Sequence, residues 1–164
     1  LSTEANRHCS CVQPSAQDLS ANELEGYFDL ITGTPPYFPV GTATEPPDEQ
    51  RNYARIEHRG GVEAYLDAIA FALHSEGHAV LCVSASQNER TVAHARRVGL
   101  HITQRIVAHP RAERPPLFMV CTLRKMPGNV DESVTSFFAR NSAGQRTRDY
   151  HTVRAYFGMG PSRD

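Results

Sequence analysis

Two patterns alternate along the chain. Short unbroken apolar runs mark strands, and stretches whose apolar residues return every three or four positions mark helices. Residues 28–32, Phe-Asp-Leu-Ile-Thr, read as a buried strand. Val62, Tyr65, Leu66, Ile69 and Leu73 recur at helical spacing, with Glu63, Asp67 and His74 on the other face. Gly60 and Gly61 precede this helix, and Gly77 is expected to close it. Residues 79–83, Ala-Val-Leu-Cys-Val, form a continuous apolar run, as in a strand covered on both faces. Asn88 is expected to cap a second helix that runs through Val98 and stops at Gly99. Residues 100–108 and 116–123 predict two strands joined by a turn at 110–115, an antiparallel pair. Residues 134–139 suit an edge strand and 150–157 a short helix, while residues 11–13 suggest a short strand ending near Asp18. Between Gly33 and Gly60 lies a long connection rich in proline, threonine and charge. A loop of that length inside a compact domain is usually functional or disordered.

The order of elements predicts an α/β fold. At 164 residues the chain suits one domain, and a chain of this size hides about 70% of its unfolded surface. No apolar stretch approaches the ~20 residues of a membrane span, and no signal peptide is visible, which leads to the expectation of a cytoplasmic protein. The chain begins at Leu1 without methionine, so an upstream segment or a partner chain is expected to complete it. Cys82 and Cys121 lie in apolar runs and read as small buried hydrophobes. His8, Cys9 and Cys11 have no second ligand pair of structural-zinc type, so no metal site is assigned. The eight histidines show no catalytic spacing and read mostly as surface residues.

Charge is divided unevenly. Residues 1–85 carry four arginines against twelve acids, whereas residues 86–164 carry thirteen Lys and Arg against six acids. Such asymmetry either marks a nucleic-acid partner or is neutralised within the fold. Arg51, Arg55 and Arg59 recur every four residues, so a helical stretch would align them. They suit either phosphate contacts or a solvated mixed face, given Glu45, Asp48, Glu49 and Glu57 nearby. Arg96, Arg97, Arg105, Arg111 and Arg114 carry the same two readings.

The most informative chemistry follows the first confident strand. Thr34-Pro35-Pro36-Tyr37 places two prolines, which have no N–H, at a strand end, where they can hold carbonyls outward. A hydroxyl, a carbonyl and an aromatic face together suit a planar amine. The oxygens accept its protons, the ring stacks on the heterocycle, and the nitrogen lone pair is left for an electrophile. Asp29-Leu30-Ile31 followed by Pro35-Pro36-Tyr37-Phe38 resembles the (Asn/Asp/Ser)-Pro-Pro-(Tyr/Phe) motif of amino-directed, S-adenosylmethionine-dependent methyltransferases. With Gln50-Arg51, Ala54-Arg55, Tyr150 and Tyr156-Phe157-Gly158, residues 18–158 are similar to bacterial tRNA adenine-N6-methyltransferases.

The resemblance implies a Rossmann-like methyltransferase sheet, of which this chain holds the second half, ending in an antiparallel hairpin. It implies S-adenosylmethionine as cofactor and tRNA or another RNA as partner. Thr34, Pro35, Pro36 and Tyr37 become the catalytic candidates, with Thr34 standing where the family has Asn, Asp or Ser. Phe38, Arg51, Arg55 and Arg59 become substrate-binding candidates. Asp18 aligns with the acid that meets the adenine amine of the cofactor. The Gly-rich turn of a nucleotide site is missing ahead of these residues. Two other functions stay open: methylation of a glutamine or guanine amine, and a non-catalytic RNA-binding or scaffold remnant of the fold.

Overall fold

A computed structural model describes residues 24–44, 47–125 and 132–160. Asp18, the strand expected at residues 11–13, and His8, Cys9 and Cys11 lie outside the described residues. The elements are β1 (Phe28–Gly33), α1 (Glu49–Arg55), α2 (Val62–Ala72), β2 (Leu73–Ser84), a 3-10 turn (Ala85–Gln87), α3 (Asn88–Arg97), β3 (His101–His109), β4 (Phe118–Arg124), β5 (Ser133–Phe138) and α4 (Arg148–Tyr156).

The five strands form one mixed sheet in the order β1-β2-β4-β3-β5. β1 and β2 are parallel, β2 and β4 antiparallel, β3 and β4 antiparallel, and β3 and β5 parallel. The expected hairpin and edge strand are therefore both present. Registers Gly33↔Leu81, Ser84↔Phe118, Ala108↔Phe118 and His109↔Phe138 bring the ends of all five strands to one edge of the sheet.

Leucine, isoleucine and valine at helical spacing bury α2 on one sheet face through Val62, Leu66 and Ile69. They meet Leu73, Ala79, Leu81 and Val83 of β2, Met119, Cys121 and Leu123 of β4, and Ala95 and Leu100 at α3. Each large apolar side chain so buried stabilises the fold by about 1.5–3 kcal/mol. On the opposite face Val80, Cys82 and Val120 are only half-buried. Tyr65, expected in the buried stripe, is 39% exposed and lies over Gly33 at the sheet margin.

Four expectations are corrected by the structure. β1 stands where the pattern puts it but is not buried: it is an edge strand of the described sheet, and Asp29, Leu30 and Thr32 are exposed. Gly77 does not close α2. The helix ends at Ala72, and Leu73 is both its C-cap and the first residue of β2. Gly77 sits inside β2, where an added Cβ would lie 2.9 Å from Leu73 Cδ1 and 3.0 Å from the Phe28 and Asp29 carbonyl oxygens. Close approach of β1, beside a register irregularity between Phe28 and Leu30, is what calls for glycine there. Asn88 is the first residue of α3 and not its cap, which is Gln87; the helix does stop at Gly99, whose φ of 76° suits glycine. Finally, the connection from residue 33 to 60 contains α1, capped by the Asp48 side chain accepting from the Arg51 N–H at 2.8 Å.

Among the described residues, no helix is long and apolar enough to cross a membrane, and no three His, Cys, Asp or Glu side chains are grouped to hold a metal ion.

Candidate active site

β1 ends at Gly33 and delivers Thr34 to the sheet edge, exposed, followed by buried Pro35 and Pro36. Two proline rings cannot extend a ladder, so the chain leaves the sheet here and other groups must fix its carbonyls and amides. The N–H groups of Tyr37 and Phe38 both donate to the Arg55 carbonyl, at 3.1 and 3.0 Å, and Glu57 N–H donates back to the Phe38 carbonyl at 3.0 Å. The end of α1 and the extended residues after it thus hold the motif from one side, with Ile56 pairing Phe38 and packing into the interior.

Gln87 holds it from the other side. Its buried side-chain amide donates to the Pro36 carbonyl at 2.7 Å and to Glu57 Oε1 at 2.8 Å, while its Oε1 accepts from the Ser84 N–H at 3.3 Å. Behind it, Arg90 clamps two carboxylates. Nη1 and Nη2 reach Glu57 at 2.9 and 3.0 Å, and Nε and Nη2 reach Glu63 at 2.8 and 2.7 Å. The hydrogen bonds from Arg90 hold the Glu63 carboxyl below its ordinary value, and the same carboxylates raise Arg90, Glu63 first. Two carboxylates around one guanidinium leave this cluster negative.

The half-buried Tyr37 places its hydroxyl 3.4 Å from Cys82 Sγ on β2. Burial, and then the Cys82 sulfur, push the phenol up to about 12. Cys121, on the helix-covered face, is fully buried, and burial raises its thiol to about 11.

The structure brings some candidate residues together and separates others. Arg55 lies over the Phe38 ring, 5.5 Å from its centroid. Arg51 is exposed on α1. Arg59 is not aligned with them, because the chain turns extended at Ile56, with φ −113° and ψ 139°. Its guanidinium instead covers Tyr53, at 4.0 Å, beside His58 and Asn52. His94 departs from the expected surface histidines: it is buried between α2 and α3, with Nε2 2.7 Å from Asp67 Oδ1.

Gln87, Glu57, Arg90 and Cys82 had no place among the candidates. One signal was available: Ser84-x-x-Gln87 has the spacing of a capping box, and that box is formed. Nothing local in sequence says that the same glutamine reaches back to Pro36.

No family model matches the chain. Its fold is that of a methyltransferase. A protein of Agrobacterium tumefaciens described as a predicted O-methyltransferase superposes with a TM-score of 0.52 at 14% identity, over 85% of this chain and 56% of that one. In sequence the chain is similar to two curated proteins named tRNA1(Val) (adenine(37)-N6)-methyltransferase. The one from Phocaeicola vulgatus is 29% identical over 105 residues, covering 64% of this chain and 44% of the relative. The one from Serratia proteamaculans is 28% identical over 118 residues, covering 71% and 45%. The chain thus spans a little under half the length of the curated relatives it matches.

Proposed function

We propose that this chain is the methyl-acceptor half of an S-adenosylmethionine-dependent N-methyltransferase acting on the N6 amine of adenine in RNA, with tRNA as the substrate class, in the cytoplasm. The observation that carries the reading is the anchoring of Thr34-Pro35-Pro36-Tyr37 at the strand-end edge of a methyltransferase sheet. The likeness to tRNA adenine-N6-methyltransferases supports the choice of base.

Thr34 Oγ1 and the Pro35 carbonyl accept the two protons of the amine, which localises the nitrogen lone pair. Tyr37 stacks on the base, an interaction worth about 1–3 kcal/mol in single-strand binders, and Phe38, covered by Arg55, adds a second ring next to it in the chain. An adenine in a stack must swing out to reach these groups. Bound S-adenosylmethionine supplies a methyl group on a sulfonium, open to in-line attack. The residues present suit such a cation: the acceptors are neutral oxygens, and the Glu57–Arg90–Glu63 cluster behind them is negative. Asp18, outside the described residues, is this chain's candidate for the cofactor's adenine amine. No general base is required, because orientation supplies most of the rate and the proton leaves after methyl transfer. A single domain over residues 1–164, completed by a further segment or a partner chain carrying the Gly-rich cofactor turn, is part of the same proposal.

Transfer of labelled methyl from S-adenosylmethionine tests it, with unmodified tRNA, adenine-free RNA and a glutamine-bearing protein as alternative acceptors. Label in N6-methyladenine supports the reading. Label in guanine or glutamine moves the substrate and keeps the chemistry. RNA binding with neither cofactor binding nor transfer by the completed protein identifies a non-catalytic remnant.

A further inference from the structure

A second site lies on the same edge of the sheet. The tip of the β3–β4 hairpin, the end of β5 and one side of α4 enclose a groove of about 880 Å³. Five arginines line it, Arg111, Arg114, Arg140, Arg146 and Arg154, and among the described residues no carboxylate does. Several of them donate to neutral groups: Arg111 to the Ser142 carbonyl, Arg140 to that of Gly144 and Arg154 to that of Gly160. A carbonyl occupies a donor without cancelling its charge. The carboxylate of Glu113, 3.3 Å from Arg111, offsets one of the five. Arg146 lies over the Tyr150 ring at 4.2 Å, and its Nε is buried without a hydrogen-bond partner among the described residues. Leu117, Val153 and Met159 are 58%, 44% and 46% exposed and give the groove an apolar floor.

We infer that this groove holds the single-stranded RNA flanking the target base. This rests on the reading of RNA as substrate. Uncompensated guanidinium groups call for an anion, and a free phosphate would have no use for the apolar floor. A single strand presents both phosphates and base faces to such a surface. The topology gives the groove its place. β1, which ends in the motif, and β3, which ends in the groove, are three strand spacings apart on one edge, about 14 Å at ~4.8 Å per strand. A strand whose target base sits at Thr34 can therefore run along that edge and reach the arginines a few nucleotides away.

The test compares two double variants of equal charge change. Arg111→Glu with Arg114→Glu alters exposed groove residues, and Arg96→Glu with Arg97→Glu alters exposed residues of α3 outside the groove. Affinity for a short single-stranded RNA is measured against salt concentration, with methyl transfer followed in parallel. The groove variant is expected to bind at least about tenfold more weakly. Its salt dependence should flatten by about 0.7 in log–log slope for each phosphate no longer neutralised, whereas the α3 variant keeps the parental slope. Equal losses in both variants, or no loss in the groove variant, would overturn the proposal, as would failure of the parent to bind RNA. If the parent methylates RNA and the groove variant binds it normally, the groove assignment fails and the substrate reading stands. Groove-dependent RNA binding without methyl transfer to any RNA would overturn both the substrate reading and the placement beside a target base, and leave only an RNA-binding groove.

Discussion

Gln87 and Pro36 are 51 residues apart in sequence and 2.7 Å apart in space, joined by a hydrogen bond from a buried side-chain amide to a proline carbonyl. With Tyr37 N–H bound to the Arg55 carbonyl, both polar ends of the Pro36–Tyr37 peptide are held. The plane of that peptide fixes the direction taken by the residues on either side of it.

Gln87→Leu should therefore cost about 1–3 kcal/mol, because it leaves the buried Pro36 carbonyl without a donor. Gln87→Glu should cost more at neutral pH, since a carboxylate cannot donate and would face Glu57. Denaturant titration at neutral and mildly acid pH checks both, with the Glu variant recovering as the acid protonates. Equal stability of the Leu variant and the parent would show that this hydrogen bond anchors nothing.

Thr34→Val should lower kcat/KM for adenine methylation about 5- to 150-fold, the rate equivalent of leaving one amine donor unsatisfied. Thr34→Asn, which restores a residue found in the motif family, should keep or raise it. Steady-state kinetics with tRNA decide. Parental turnover by the valine variant alongside a dead asparagine variant would remove Thr34 from amine recognition.

Tyr37 gives a pH signature. Its folded pKa of about 12 lies above the ordinary 10.0, so folding favours the neutral phenol. The stability this contributes is present below pH 10 and is lost as pH rises toward 12. Alkaline unfolding curves should therefore fall less steeply in that window for Tyr37→Phe than for the parent, and ultraviolet titration should show one late-ionising tyrosine fewer.

Glu63 works in the opposite direction. Arg90 holds its carboxyl below the ordinary 4.5, so its contribution is present above that value and fades as pH falls. Glu63→Gln should be less stable than the parent at neutral pH by no more than about 1 kcal/mol, the range of a partly exposed ion pair. The difference should close in acid. A constant difference down to low pH would mean that the loss comes from packing.

Gly77→Ala should destabilise by about 1–3 kcal/mol through overpacking, because the new methyl meets backbone oxygens of β1 that cannot swing aside. The denaturant midpoint should fall with an unchanged slope.

Legibility in sequence followed the range of the interactions. β1, the apolar half of β2, the β3–β4 hairpin and the stop of α3 at Gly99 are set by periodicity and local turn chemistry, and all are where the pattern puts them. Gly77 misled because a glycine after an apolar helix looks like a cap. Only the closeness of β1, far away in sequence, shows that it belongs to a strand. Arg59 misled for a related reason: its spacing continues the helical repeat, but Ile56 leaves the helix to pair with Phe38. The motif itself was visible as two prolines at a strand end. The side chains behind it, of Gln87, Glu57 and Arg90, are linked across 30 residues or more and leave no local trace beyond a capping box.

The direct join between α2 and β2 has a consequence for how the molecule opens. Ala72 is the last helical residue and Leu73 the first of the strand, so no slack lets one move without the other. α2 also carries Glu63, which reaches the motif through Arg90, Glu57 and Gln87. Helix, strand and motif should thus behave as one cooperative unit in amide exchange. The Tyr37 and Phe38 amides, although they lie in a loop, should exchange with the slow protons of β2 and not with the fast ones of the surface.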